Sequence, residues 1–307
     1  MLSGSHVIRH DFRLTWLETE ESFSIYKKSI LMNAYQTHSP TPAAMLGSLL
    51  RNRHLIWQMI RRDITMRYRG SIIGVAWSFV TPMLMLIVYT FVFAVVFKAR
   101  MGGGANESRV DFALNLFAGL TVFGFFSDVV SHAPRQVISN RNYVKRVVFP
   151  LEILSWVSLG SGLVRSLISL TILLLAQLII HQSLAWTVVL FPLVLLPLIF
   201  ASLGIAWFLA ALGVYIRDIG QVTEVFIRIL MFLSAIFYPV SALPERLQPW
   251  LRLNPLLVTI DESRKVLLRG TLPDWNWLGI ALVIGIAIAL GGFWWFQKTR
   301  KGFADVI

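Results

Sequence analysis

A cluster of arginines that ends abruptly at a long apolar run is the feature that most constrains this chain. Residues 61–71 carry four arginines and one aspartate, and from Ile72 to Phe97 the only ionisable side chain is Tyr89. These 26 residues would extend roughly 39 Å as a helix, which is more than the ~30 Å hydrocarbon core of a bilayer. The pattern predicts a membrane-spanning helix whose arginine-rich end stays in the cytoplasm.

The composition indicates an integral membrane protein. Hydrophobic residues make up 56% of the chain and charged residues 14%, whereas a soluble domain carries about 25% charged residues. The net charge of +12 sits at the ends of apolar runs, as membrane topology requires, so we expect no nucleic-acid partner. The sequence contains no cysteine, which excludes disulfides, thiolate metal sites and thiol catalysis.

The loop charges predict an all-α protein with six membrane-spanning helices and both termini in the cytoplasm of a bacterium, embedded in its inner membrane. Residues 98–111 form a glycine-rich loop of nearly neutral charge, whereas residues 134–150 carry four basic side chains and no acid. Basic loops stay in the cytoplasm, so these two loops lie on opposite sides. The predicted spans are residues 72–97, 112–133, 153–180, 187–214, 222–240 and 277–297 within a domain of residues 71–307.

Two segments precede the first predicted span. Residues 1–42 are polar and mixed in charge, and we interpret them as a cytoplasmic tail. Residues 43–70 alternate apolar side chains with arginines at helical spacing, which is typical of an amphipathic helix lying on membrane lipid at the cytoplasmic interface. The alternative is a soluble docking helix, but Trp57 beside Arg61 favours the membrane interface.

The region of the fifth span is irregular. The uncharged stretch from Ile229 to Leu243 has only 15 residues. As a helix it would extend about 22 Å, which is too short for a full crossing. Residues 241–270 contain two apolar pieces, and neither can span a membrane. We predict a re-entrant helical hairpin there, since irregular backbone at membrane depth must be buried in protein or line a wet cavity. The alternative is a surface loop. The predicted gate residues include Pro239, where the fifth span exits, and the breaks between the apolar pieces are Pro244, Pro249, Asn254 and Pro255.

Arg165 is the only charged residue in the third predicted span. An arginine in the middle of a membrane costs about 2.5–3.5 kcal/mol on insertion scales. Arg165 therefore either faces a polar conduit or a partner, or it snorkels at the boundary of an interfacial helix over residues 150–164. Asp128, near the inner end of the second predicted span, admits the same two interpretations.

Motifs for bond chemistry are absent from the sequence. There is no G-x-x-x-x-G-K-[ST] phosphate loop, no H-E-x-x-H and no G-x-S-x-G. We therefore expect no enzyme, no catalytic residue and no cofactor or metal in this chain. A conduit is the simplest remaining role, and its energy must come from another subunit.

Six stretches of the sequence together resemble one family. They are RRDITMRYRGSIIGVAWSFVTP (61–82), NRNYVKRVVFPLEIL (140–154), VYIRDIGQV (214–222), FYPVSALPERL (237–247), LNPL (253–256) and KGFADVI (301–307). Over residues 45–307 the chain resembles the membrane subunit of bacterial ATP-binding-cassette exporters for polysaccharides, notably those of the O-antigen type. The resemblance implies a permease that exports a lipid-linked polysaccharide. It also implies a homodimer joined to two separate ATPase subunits, which would hold ATP and Mg²⁺.

A stripe of small residues at Ser202, Ala206 and Ala210 is a candidate dimer seam.

The same resemblance suggests roles for particular residues. Two short inner segments would contact the ATPases and transmit their closure, and the residues concerned are Arg141, Lys145, Arg146 and Phe149 in the first segment and Arg217, Asp218 and Gln221 in the second. Residues 241–270, together with Arg165, would belong to the gate and channel.

The arginines before the first span are candidates for a lipid diphosphate site, because a guanidinium presents a forked donor to phosphate. These residues are Arg61, Arg62, Arg67 and Arg69, although topology alone would also place arginines there. Aromatic side chains that could stack on sugars along the path are Trp77, Phe125, Phe126, Trp207 and Phe237.

Two other classes remain as alternatives. A membrane enzyme acting on polyprenyl-linked sugars would need a cluster of acids or histidines near one interface, and the sequence does not indicate one. An ion-driven carrier would be expected to show inverted repeats and buried acids, and neither is evident.

Overall fold

A computed structural model describes residues 41–92, 109–144, 149–242 and 244–306, and these residues form helices joined by turns, without a strand. Five helical stretches within these ranges are long and apolar enough to cross a membrane: Gly74–Val92, Val110–Ser139, Ile153–His181, Trp186–Tyr215 and Trp275–Gly302. They coincide with predicted spans one to four and six. An all-helical protein with several membrane spans is therefore confirmed. Residues 1–40 of the predicted tail, and residues 93–97 of the first predicted span, lie outside the described residues.

The helices, in chain order, are α1 (Pro42–Arg51), α2 (Arg53–Arg67), α3 (Trp77–Tyr89), α4 (Arg109–Ser139), α5 (Arg141–Val144), α6 (Ile153–His181), α7 (Phe191–Tyr215), α8 (Ile219–Leu233), α9 (Gln248–Leu251), α10 (Pro255–Arg264), α11 (Trp275–Thr299) and α12 (Phe303–Val306). Short 3₁₀ turns precede α3 and α7 and connect α11 to α12, and a π turn follows α10.

The fifth predicted span, residues 222–240, is not one continuous helix. Its helix, α8, has 15 residues and ends at Leu233, which corresponds to about 22 Å. Ser234 and Ala235 form a turn, and Ala235 adopts a φ of 53° in the left-handed region, where a residue with a Cβ is uncommon. The helix stops here because a residue in the left-handed region cannot continue a right-handed helix. The count of six crossings stays a prediction.

Two other boundaries differ from the predicted ones. Helix α4 continues to Ser139 and contains Pro134, so the predicted loop of residues 134–150 is shorter than expected. The predicted amphipathic helix of residues 43–70 consists of two helices, α1 and α2, which are separated at Asn52. Thr41 caps α1 by accepting a hydrogen bond from the Ala44 N–H at 3.3 Å, as expected of a threonine at this position.

Helices α1 and α2 are fixed to the bundle through α6. The Trp156 indole donates to the buried Ser48 hydroxyl on α1 at 3.2 Å. On α2, Ile60 packs on Gly160, where an added Cβ would lie 2.2 Å from the Ile60 Cδ1 atom. Trp57 is 63% exposed and Leu50 is 68% exposed. The pair of helices therefore buries one apolar face against protein and leaves an apolar edge uncovered, as a membrane-interface helix would.

Helices α7 and α11 pack closely in the core, and glycines make this possible. A Cβ on Gly292 would lie 2.0 Å from the Gly204 carbonyl oxygen, and a Cβ on Gly204 would lie 2.2 Å from the Ile288 carbonyl oxygen. Small residues allow two backbones to approach in this way. Trp207 is fully buried beside the contact, with its ring 4.9 Å from that of Phe293. The pair forms a rigid wall of the bundle.

The stripe of Ser202, Ala206 and Ala210 is not a dimer seam. All three residues are 0% exposed within a single chain, because α7 packs against α4, α10 and α11. The prediction was wrong since small residues serve packing inside a subunit as readily as between subunits.

Candidate functional site

Two adjoining cavities lie between α2, α3, α4, α6 and α8. The first has a volume of about 510 Å³ and is lined largely by polar and charged side chains of α2, α4 and α6. The second, of about 610 Å³, lies between α3, α4 and α6. Arg67, Asp128 and Arg165 line both cavities. A charged cluster therefore separates a polar cavity from a more apolar one.

Arg165 is paired with Asp128 at the boundary of the cavities. Its Nε donates to the Asp128 carboxylate at 2.5 Å, and its Nη1 lies 3.9 Å from the Asp63 carboxylate on α2. The side chains of Arg165 and Asp128 are 17% and 28% exposed. Helix α6 runs unbroken from Ile153 to His181, so Arg165 does not sit at the end of an interfacial helix. The pair neutralises a charge that would otherwise be costly at this depth.

We expect Asp128→Asn to destabilise the protein by about 1–3 kcal/mol, because it leaves the Arg165 guanidinium without its nearest anion. Thermal unfolding of the purified protein in detergent measures the change. Asp63→Asn is the matched control, since Asp63 is 51% exposed and 3.9 Å from the guanidinium, and exposed pairs contribute little. Equal stabilities of the two variants would contradict the assignment.

Four basic side chains in the lining of the first cavity form what we call the basic rim, and they are Arg62, Arg67, His132 and Arg135; the same lining also carries the acids Asp63, Asp128 and Glu224. The Arg67 guanidinium donates to His132 Nε2 at 3.3 Å, and His132 Nδ1 lies 2.8 Å from the Asp128 carbonyl oxygen. Because arginine can only donate, Nε2 is the acceptor and Nδ1 carries the proton. The Arg62 guanidinium donates to the Tyr143 hydroxyl at 3.0 Å. The rim presents several fixed donors to an anion.

All four arginines predicted for a diphosphate site are exposed, but Arg62 and Arg67 line a cavity, whereas Arg61 and Arg69 line neither of the two. Sequence reasoning missed His132 and Arg135. Both follow Asp128 at helical spacings of four and seven residues, so one face of α4 carries all three. That spacing is the signal that would have found them.

The second cavity combines aromatic rings with hydroxyl groups. Its lining includes Trp77, Tyr89, Phe117, Phe123, Phe125, Thr81, Thr121, Ser127, Ser166 and Ser169. Ring faces and hydroxyls together suit a ligand that carries both C–H faces and O–H groups. Of the aromatic residues predicted for a sugar path, Trp77 and Phe125 lie here. Phe125 is only 2% exposed, and Trp207 does not line this cavity but donates to the Glu152 carbonyl oxygen at 3.0 Å.

The first predicted ATPase-contacting segment is described in part. Lys145 and Arg146 lie outside the described residues, and Arg141 is exposed at the start of α5. The Phe149 ring stacks on Tyr143 with centroids 4.4 Å apart. The Phe149 carbonyl oxygen accepts a hydrogen bond from Arg300 at 2.9 Å.

The second predicted segment is the turn between α7 and α8. Arg217, Asp218 and Gln221 are all exposed there. The neighbouring Tyr215 hydroxyl donates to the Thr299 carbonyl oxygen at 2.9 Å. Since residues next to both segments contact the end of α11, the two segments lie at the same end of the bundle. Their contact with an ATPase stays a prediction.

The predicted gate region, residues 241–270, consists of the four-residue α9 and the buried α10. The Asn254 side chain caps α10 by accepting from the Leu256 N–H at 3.0 Å, and Pro255 occupies the first turn, a favoured pairing at a helix start. Pro239 is half-buried and Pro244 is exposed. Residues 255–260 are buried, so the second limb is not a surface loop. Arg165 lies apart from these residues, at the cavity boundary.

Sequence reasoning missed Arg264, the charged residue that holds the gate region together. Arg264 is 1% exposed and donates to the carbonyl oxygens of Asn115 at 3.0 Å, Ala235 at 2.8 Å and Ile236 at 2.5 Å. Gly119 makes room for it, because a Cβ there would lie 2.7 Å from the Arg264 Nη2 atom. Arg264 thus joins α10 to α4 and to the turn that ends α8.

Comparison with known proteins identifies the family. The model of the family described as ABC-2 type transporter matches residues 54–268. This chain belongs to the ABC-2 type transporter family. It is therefore a transporter permease component embedded in a membrane by several helices.

Several curated relatives match the ABC-2 chain over most of its length. The O-antigen export system permease protein RfbA of Myxococcus xanthus is 26% identical over 265 residues, covering 86% of this chain and 99% of the relative. An RfbA protein of Klebsiella pneumoniae is 21% identical, covering 82% and 95%. The polysialic acid transport protein KpsM of Escherichia coli is 23% identical, covering 78% and 91%.

Proposed function

We propose that this chain is the permease subunit of an ATP-driven exporter that moves a lipid-linked, O-antigen-like polysaccharide across the bacterial inner membrane. The observation that carries the proposal is the pair of adjoining cavities, with basic side chains in the first and aromatic and hydroxyl side chains in the second. The names of the relatives, which refer to O-antigen export and polysialic acid transport, support the same cargo class.

The proposed orientation follows from the positions of the charges. The basic rim faces the cytoplasmic leaflet, both termini are cytoplasmic, and α1 and α2 lie on the lipid surface. Helix α8 and the segment after it form the fifth of the six crossings, and residues 241–270 form a re-entrant gate at the outer mouth. The irregular backbone after α8 is tolerated at membrane depth because Arg264 binds its carbonyl oxygens.

The proposed route starts at the rim. A lipid diphosphate binds Arg62, Arg67, His132 and Arg135, and the attached sugars enter the second cavity against the exposed ring of Trp77. Two copies of the chain assemble with two ATPase subunits, which hold ATP and Mg²⁺. Closure of the ATPases is transmitted through residues 140–150 and 215–222.

A transport assay with the ATPase partner tests the proposal. The chain is co-expressed with its ATPase, and ATP-dependent movement of the lipid-linked glycan is measured in inverted membrane vesicles. We expect Arg67→Gln to lower transport about tenfold or more, because a hydrogen bond to a charged group contributes about 1.5–3 kcal/mol. Arg69→Gln is the control, since Arg69 is exposed away from both cavities.

Three results would overturn the proposed function. One is transport by the chain without any ATPase, and another is transport driven by an ion gradient with no need for ATP, which would indicate a carrier. The third is chemical turnover of a polyprenyl-linked sugar by the isolated chain, which would indicate an enzyme.

A further inference from the structure

The end of α11 and the residues that follow it contact both predicted ATPase-contacting segments. We define residues 299–303 as the C-terminal clasp. On one side, the Arg300 guanidinium donates to the Glu152 carboxylate at 2.7 Å and to the Phe149 carbonyl oxygen at 2.9 Å. On the other side, the Thr299 carbonyl oxygen accepts from the Tyr215 hydroxyl at 2.9 Å.

The clasp is close-packed, and its contact with Glu152 is buried, whereas Tyr215 on the other side is 45% exposed. The side chains of Arg300 and Glu152 are 15% and 6% exposed, and the Glu152 backbone is held by the Trp207 indole. Phe303 is 0% exposed, with its ring 6.0 Å from that of Tyr215 and 5.5 Å from that of Phe296. A side chain at Gly302 would collide with Tyr215, since a Cβ there would lie 2.6 Å from the Tyr215 hydroxyl oxygen.

We propose that the C-terminal clasp locks the two ATPase-contacting segments to the last membrane helix, so that they move as one body during transport. The inference rests on the proposed function for the role of those segments, and it adds Thr299, Arg300, Gly302 and Phe303 as positioning residues. Two separate loops would otherwise respond independently to an ATPase beneath them. A buried, two-pronged arginine bond on one loop and an aromatic contact on the other remove that freedom.

The clasp also reaches α2 through the first segment. Phe149, whose carbonyl oxygen binds Arg300, stacks on Tyr143, and the Tyr143 hydroxyl accepts from Arg62 on α2. Arg62 belongs to the basic rim of the first cavity. A displacement of the clasp is therefore transmitted through contacting groups to the place where cargo is proposed to bind.

The test compares ATP hydrolysis with transport in the complete complex of permease and ATPase. The variants are Arg300→Gln, which removes the charge, and Gly302→Leu, which separates the clasp from Tyr215. We expect both complexes to assemble and hydrolyse ATP, while glycan moved per ATP hydrolysed falls at least tenfold. Arg300→Lys keeps the charge toward Glu152 but loses the second bond, so its ratio should fall between Arg300→Gln and the wild type. Lys301→Gln is the matched control because Lys301 is exposed.

Tyr215→Phe keeps the inference testable if the stronger variants do not assemble. It removes one hydroxyl and leaves the ring, so the fold is retained, and we expect a smaller but measurable fall in transport per ATP. An unchanged ratio in Tyr215→Phe and in every assembled clasp variant would overturn the inference. Failure of the wild type and of Lys301→Gln to couple ATP to transport would instead refute the proposed function.

Discussion

Replacing Arg264 with methionine should destabilise the protein more than any other change of a charged side chain described above. Methionine fills much of the space but donates no hydrogen bond, so three carbonyl oxygens of Asn115, Ala235 and Ile236 lose their donor. Each buried group left without a partner costs about 1–3 kcal/mol. We expect several kcal/mol in total, measured by thermal unfolding in detergent and by the folded fraction on gel filtration.

Arg269→Met is the matched control for Arg264→Met. Arg269 lies five residues further along and is exposed, so its replacement should change stability by less than about 0.5 kcal/mol. Arg264→Lys should recover part of the loss, because an ammonium group can reach some of the carbonyl oxygens but lacks the planar fork. Arg264→Met as stable as Arg269→Met would refute the proposed role of Arg264 in holding the turn after α8.

Arg264 also shows why the end of α8 was beyond sequence reasoning. Hydropathy located the long spans well, because each is a continuous apolar run whose position depends on local composition. The end of α8 depends instead on a contact between Arg264 and carbonyl oxygens 28 and 29 residues earlier in the chain. In the sequence, Arg264 stands in the polar stretch DESRK, where nothing distinguishes it from a solvated residue.

The residues of the candidate site were likewise predictable where a local sequence pattern marked them, and not where they depended on a contact with a distant residue. The position of Arg165 in an apolar run signalled that it needed a partner, but two interpretations stayed open because Asp128 lies 37 residues away. Arg62 and Arg67 were found through their cluster beside the first span. His132 and Arg135 could have been found from helical spacing once Asp128 was placed on the inner side of α4, because the three lie on one face.

The second large loss of stability is expected from replacing a glycine at the contact between α7 and α11. Gly292→Ala should destabilise the protein by about 1–3 kcal/mol or more, since its Cβ would lie 2.0 Å from the Gly204 carbonyl oxygen. The obstructing atom belongs to backbone and cannot rotate away as a side chain could. The two helices must therefore separate, which also loosens the packing around the buried Trp207.

The adjacent glycine supplies the control for this prediction. Gly291 is exposed and a Cβ there would meet no atom within 4 Å, so Gly291→Ala should leave the unfolding temperature nearly unchanged. Helix propensity favours alanine equally at both positions, and any difference between the variants therefore reports the contact between α7 and α11. If both variants unfold at the wild-type temperature, the close approach of α7 and α11 does not exist in the folded protein, and the rigid wall inferred for the core fails with it.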